Sequence, residues 1–528
     1  MKKIVKYLVI CSIMLVSCGD EFLNLHPQSS LNSEGYYQNQ TDMNRAVLAA
    51  YADLRSLYNA RFVDMEIRSD NTAYQWLPGD PANHHGIDDF RDLCMITNTW
   101  LNDTWNSSYR LILRCNTVIT RIDNASFFDE NLRTQYEAEA RFLRALMYFW
   151  LNRIFGGYAT NGELLGVCKV EKPISQFEAY EIVRAPYREI YDLIVADLMY
   201  AETNLPLNYP AADRGRVRQA GASAMLAKVY MFMAGYPLNL GNEYYLKAVQ
   251  QIEHFFNTYP DVSLAQTYQH LFSSPHNQTL YSKNSVESLF EVQYRKGAPG
   301  EATNSPWNGD FAPRNSDGVV IVSGTPSGTN SPTTEMAEAY EFGDPRRYVS
   351  MRDGFRNNAS GDLLIERYVC KYYDVPNSGN NNGNNWIELR LADIYLLYAE
   401  ALVRTNGNRT VALNYLNRIR ERARNTPGNP GIVLPEGYDL LKDYSLSDFA
   451  DDDEFLMAIE KERRIELAFE NHRWFDLVRT QRARDVMSTQ WGISASDWND
   501  AHLALPIPET VMLSNPGKII QNRGYTQR

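Results

Sequence analysis

The chain has 528 residues, 44% hydrophobic and 22% charged, with 52 Lys and Arg against 64 Asp and Glu and a formal net charge of −12. That balance argues against nucleic acid as a partner, because phosphate binding needs clustered positive charge. A chain of this length can bury a large core, and length alone admits about two to four domains.

The first residues read as a targeting segment. Lys2, Lys3 and Lys6 form a basic start, and an apolar run from 4 to 16 comes next that is too short to span a bilayer. Leu15, Val16, Ser17 and Cys18 then resemble the lipobox of bacterial lipoproteins. Residues 1–17 are therefore expected to be a lipoprotein signal peptide, with Cys18 acylated and held in a membrane by two or more chains. Losing the three lysines takes the net charge from −12 to −15. The other mature cysteines are Cys94, Cys115, Cys168 and Cys370, too sparse for a disulfide framework. Cys115 reads as a buried free thiol on a helix.

Beyond this segment helical periodicity dominates the chain. TDMNRAVLAAYADLRSLY, WLNDTWNSSYRLILRCNTVI and YEAEARFLRALMYFWLNRIFGG each place apolar residues on one face, and RVRQAGASAMLAKVYMFMAG continues the series. LRLADIYLLYAEALVRTNGN and ALNYLNRIRERAR, joined at Asn406, Gly407 and Asn408, look like one tetratricopeptide unit. EFLMAIEKERRIELAFENHRWFDLVRTQR reads as one long closing helix. Between 265 and 388 the composition changes to turn-forming stretches such as SGTPSGTNSP and PNSGNNNGNN, with short β-like runs SLFEVQY, GVVIV and LIERYVCKYY. The expected fold is mainly α, a tetratricopeptide-like scaffold of helical pairs (18–264 and 389–528) carrying a loop-rich insertion with a few short strands (265–388).

No catalytic or phosphate-binding motif occurs. His84 and His85 are adjacent, so their side chains diverge and no metal site is expected. The run Asp451, Asp452, Asp453 and Glu454 suits a helix N-terminus. Glu460 with Arg464, and Glu470 with Arg473, are spaced to pair along a solvated face. No cofactor is called for. Aromatics say more: 34 Tyr, 21 Phe and 9 Trp. A ring in a polar loop can cover the C–H face of a sugar while Asn, Asp and Arg bind the hydroxyl rim. RSDNTAYQWLPGDPANHHG offers Arg68, Asp70, Asn71, Tyr74 and Trp76 for this. YRKGAPGEATNSPWNGDFAPRNSDG offers Tyr294, Trp307, Asn308, Asp310, Phe311 and Arg314. The glycan-binding set expected is Asn71, Tyr74, Trp76, Tyr294, Trp307, Asn308, Asp310 and Arg314. Trp100, Trp105, Trp150 and Trp474 fall in helical patterns and read as core, as does Trp386, which stands before the helix IELRLADIYLL.

Five motifs in order resemble the SusD/RagB family of outer-membrane nutrient-binding lipoproteins from Bacteroidetes. They are AEARFLRALMYFWLNRIFGG, EMAEAYEFGDPRRYVSM, LRLADIYLLYAEALVR, IEKERRIELAFENHRWFDLVR and LALPIPETVMLSNPGKIIQNRGY. Asn471 departs from the resemblance, standing where a glycine is more usual. The resemblance implies one domain over 18–528, a cell-surface, outer-membrane position and capture without cleavage of an oligo- or polysaccharide. It also implies a SusC-like TonB-dependent transporter as partner. The ligand does not carry over, since the family's loops diverge. Peptide capture, a surface glycosidase and a bare tetratricopeptide scaffold are the competing readings.

Overall fold

A computed structural model describes residues 36–528 apart from 61, 78–85, 92, 274–279, 298–302, 306, 317, 359 and 375–380. Cys18, His84 and His85 lie outside the described residues. Helices dominate: α1 (Gln40–Ala60), α2 (Thr99–Arg121), α3 (Glu130–Phe155), α4 (Tyr187–Asn204), α5 (Gln219–Ala234) and α6 (Asn242–Thr258) come first. The C-terminal part adds α7 (Leu391–Arg404), α8 (Arg409–Arg424), α9 (Asp452–Glu466) and α10 (Arg473–Arg479). Each of α1 to α5 packs on its successor, and α7 packs on α6, α8 and α9. The helices α4 and α6 stand where the sequence reading assigns none, though both carry the 3.6-residue period, as in Ile190, Ile194, Leu198 and Ala201.

The pair α7–α8 has the expected tetratricopeptide form. Asn406 takes φ 52° in the turn, and the Asn408 side chain caps α8 by accepting from the Val411 N–H. Asp451 caps α9 through the Glu454 N–H, and three acids fill its first turn. Trp100, Trp105, Trp150, Trp386 and Trp474 are all buried, as is Cys115.

Two helix assignments need correction. Trp386–Arg390 is a strand (β4), not the start of a helix, and α7 begins only at Leu391. It pairs antiparallel with β2 (Ser288–Val292), Trp386 opposite Val292, and all five of its residues are buried, Glu388 and Arg390 included. The long closing helix is broken at 467–472 into α9 and α10. Phe469 and Asn471 take φ 66° and 62° there, and their N–H groups donate to the buried Glu66 carboxylate at 3.1 and 2.7 Å.

The charges of this region are not on a solvated face. Arg473 pairs with Glu460 and Asp70, while Glu470 pairs with Lys371 and Arg390. Glu466 receives Arg390 at 2.6 Å, Arg346 at 3.2 Å and also Arg422. Apart from the half-buried Glu460 these groups are buried, so each buried acid is held by its partners rather than by water.

The 265–388 stretch is loop-rich as expected. SLFEVQY supplies β2, but GVVIV is mostly turn, and LIERYVCKYY contributes only the short strand Tyr368–Val369 and part of Leu363–Leu364. Leu289, Phe290, Trp307, Tyr372 and Trp386 join the main helical core, while Ala312, Ile321, Phe355 and Cys370 form a smaller cluster.

Candidate functional site

A two-residue ladder sets up the site. β1 (Thr72–Ala73) pairs antiparallel with β3 (Ser331–Pro332), Thr72 opposite Pro332 and Ala73 opposite Ser331. This fixes the segment carrying Tyr74 and Trp76 beside the loop running back to Arg314. The Gln75 N–H donates to the Gly328 carbonyl at 3.0 Å, and the Gln75 side-chain oxygen accepts from the Arg314 N–H at 3.1 Å. Gly328 sits at φ 63°, and a Cβ there would lie 2.1 Å from Gln75 Oε1, so the crossing needs glycine.

On this crossing Tyr74 and Trp76 meet edge to face, with ring centroids 4.5 Å apart. Trp76 Nε1 donates to Asp88 Oδ2 at 2.9 Å, fixing the indole plane. Arg314 Nη2 donates to the Tyr74 hydroxyl at 2.6 Å, and its guanidinium carbon is 5.2 Å from the ring centroid. All three side chains are half-buried, and Leu77 beside them is exposed. Two angled aromatic rings with a cationic rim can cover an apolar sugar face and bind hydroxyls or acidic groups at its edge.

The other expected ligand contacts are elsewhere, and four of them correct the sequence reading. Trp307 has no exposed surface. The short helical turn Trp307–Phe311 folds it into the core, where its ring lies 4.5 Å from Tyr294, 5.7 Å from Trp386 and 6.3 Å from Tyr372. Tyr294 is buried too, its hydroxyl donating to the Arg55 carbonyl at 3.0 Å. Neither ring has a face for a sugar. Asn308 is buried and donates to the Tyr372 carbonyl. Asn71 is buried, donating to Glu66 Oε1 and accepting from Arg464 Nε, both at 2.9 Å. Asp310 is half-buried and accepts from Ser327 Oγ at 3.0 Å, while its carbonyl accepts the Thr329 N–H at 2.8 Å. It closes the loop that carries Arg314.

Just before β1 in the chain lies a buried ionic anchor, Asp70. Asp70 receives Arg473 at 2.7 Å and Arg464 at 3.1 Å. Burial would push its carboxyl up, but the two guanidinium groups outweigh this and hold it below the usual range. Glu66 is pushed the other way, raised by burial. Among the described residues no cluster of His, Cys, Asp and Glu is placed to hold a metal ion, and no helix is long and apolar enough to cross a membrane.

Residues 325–525 match the family described as SusD family, and residues 21–231 match one described as starch-binding associating with outer membrane. The chain belongs to the SusD/RagB family. It is 27% identical to a SusD-like protein, P2, of Formosa agariphila, over 99% of this chain and all of that one. A SusD superfamily structure from Parabacteroides distasonis superposes with a TM-score of 0.74 at 24% identity, over 94% of this chain and all of that one. A laminarin-binding SusD-like protein superposes at 0.69, also 24% identical, covering 93% of this chain and all of that one. The helical SusD scaffold is thus common to all three. Asn471, where the resemblance leads one to expect glycine, takes a φ of 62°, which asparagine tolerates better than most residues. Its side chain also donates to the Phe62 carbonyl at 2.6 Å.

Proposed function

We propose that this protein is a cell-surface glycan-binding lipoprotein that captures an oligo- or polysaccharide and delivers it to a SusC-like TonB-dependent transporter. The observation that carries the reading is the half-exposed pair Tyr74 and Trp76 with Arg314 on its rim. A family match described as starch-binding and outer-membrane associated, and a laminarin-binding neighbour in fold, support it. The lipobox-like Cys18 supplies the attachment. Glycan is bound here and passed on uncleaved.

The test is calorimetric titration of the purified chain with laminarihexaose and maltohexaose, followed by chain-length analysis of the recovered sugar. Binding of at least one, with its length distribution unchanged, is the expected result. Release of new reducing ends, abolished by one carboxylate substitution, would overturn the binding-only assignment. A response to extended peptides and to neither glycan would transfer the site to the peptide reading.

A further inference from the structure

A second hollow, sharing no residue with the Tyr74 and Trp76 platform, opens between α1, the segment 211–216 and β2. Its volume is about 670 Å³, and it adjoins a hollow of about 370 Å³ with which it shares Arg214, Gly215, Arg216, Asn284 and Glu291 as lining. The floor at Gly215 is tight: a Cβ there would lie 2.5 Å from Gln293 Cγ. Together the two adjoining hollows make a trough.

Its charge is opposite to that of the chain as a whole, which carries −12. Arg55, Arg214, Arg216 and Lys283 line the larger hollow against only Asp213 and Glu291. Both acids are already engaged. Asp213 takes Arg216 at 2.9 Å, and Glu291 accepts the Asn284 N–H at 2.9 Å and the Asn385 amide at 2.7 Å. Arg216 is satisfied by Glu139 and Asn44, and Lys283 donates to the Tyr294 carbonyl at 2.7 Å. Arg55 and Arg214 have no carboxylate partner among the described residues, and Arg55 Nε is buried without a hydrogen bond. A half-buried guanidinium facing a cavity whose acids are already engaged is a built receptor for an oxyanion.

We propose that this trough binds an acidic saccharide, its carboxylate or sulfate oxygens taken by Arg55 and Arg214. The identification as a saccharide rests on the proposed glycan capture; the demand for an anion rests on the trough alone. Peptide addition to the β2 edge is disfavoured, because the Leu289 carbonyl is closed off by Gly221 of α5, where a Cβ would lie 2.7 Å away. The Glu291 carbonyl is occupied by the Gln293 side-chain amide at 2.9 Å.

The test titrates tetragalacturonate and a sulfated carrageenan tetrasaccharide into the full chain, its Arg55→Gln/Arg214→Gln variant and its Trp76→Ala variant. At least one acidic probe should bind the wild type, more weakly as salt rises from about 50 to about 500 mM. The arginine variant should lose about tenfold or more of that affinity, and far more than Trp76→Ala loses. Which probe binds tells carboxylate from sulfate. Because neither arginine holds an acid in place, the double variant should keep the wild-type melting temperature. Arg214→Glu, at an exposed position, gives a second loss without touching the core. Failure of both acidic probes to bind, or loss of their binding in Trp76→Ala rather than in the arginine variant, would overturn the proposal. Laminarihexaose, run in parallel, reports on the platform, so failure of the parent reading is seen separately.

Discussion

Arg314 donates to the hydroxyl of Tyr74 across 240 positions of sequence, at 2.6 Å. The bond holds the tyrosine ring at its angle to Trp76 and places a cation on the rim of the pair. Arg314→Ala should therefore weaken glycan binding twice over, by releasing the ring and by removing a donor. We expect a loss of about 1–3 kcal/mol in calorimetry, and Tyr74→Phe should lose less, because the ring face remains.

Trp76→Ala should weaken laminarihexaose binding by about tenfold to a hundredfold, the order of one aromatic contact, with little change in melting temperature. Trp307→Ala should do the reverse. With no exposed surface and three aromatic neighbours, its truncation leaves a cavity costing about 3–5 kcal/mol of stability. Equal binding losses and unchanged melting in Trp307→Ala would place a sugar where the structure places core.

Asp70→Asn should both destabilise and disarm the protein. It leaves the buried Arg473 and the half-buried Arg464 without their shared carboxylate, at a cost of about 3 kcal/mol or more. Denaturant unfolding should show the first effect and glycan titration on the still-folded fraction the second.

Acid should unfold the protein in a defined window. Burial alone would raise the Glu466 carboxyl, but Arg422, Arg390 and Arg346 outweigh it and hold it at about 2, against an ordinary 4.5. The folded value is the lower one, so its contribution is complete above pH 4.5 and is lost as pH falls toward 2. That gap is worth about 3 kcal/mol. Glu466→Gln should lower the melting temperature at pH 7 and flatten its decline between those limits.

Cys18→Ala should release the protein from the membrane fraction without changing its melting curve, as checked by carbonate and high-salt washing. Retention would exclude the lipid tether.

The range of the forces involved decides how much of the fold and the site is legible in the chain. The helices α1, α2, α3, α5, α7 and α8 rest on local periodicity, and each lies where its apolar stripe places it. The break between α9 and α10 does not, because it depends on Glu66, some 400 positions away, accepting the N–H groups of Phe469 and Asn471. Trp307 sits in a turn-rich stretch that locally resembles an exposed loop; its burial is decided by Tyr372 and Trp386, which no spacing rule connects to it. Tyr74, Trp76 and Arg314 are each identifiable by chemistry. Their meeting is not, since it depends on the pairing of β1 with β3.

That pairing has a bearing on how such a protein could change its diet. The loop from Phe311 to Gly328 leaves and returns through one clamp, where the Asp310 carbonyl takes the N–H of Thr329 and of Asn330 and β3 begins at once. Lengthening a loop whose ends are already joined costs little, about 0.6 kcal/mol per doubling. The exposed run 322–325, between the buried Ile321 and the clamp, is thus an exchangeable cassette on a fixed mount. Residues can be added, removed or replaced there to suit another sugar, while Tyr74 and Trp76 stay in register and the helical body is not disturbed.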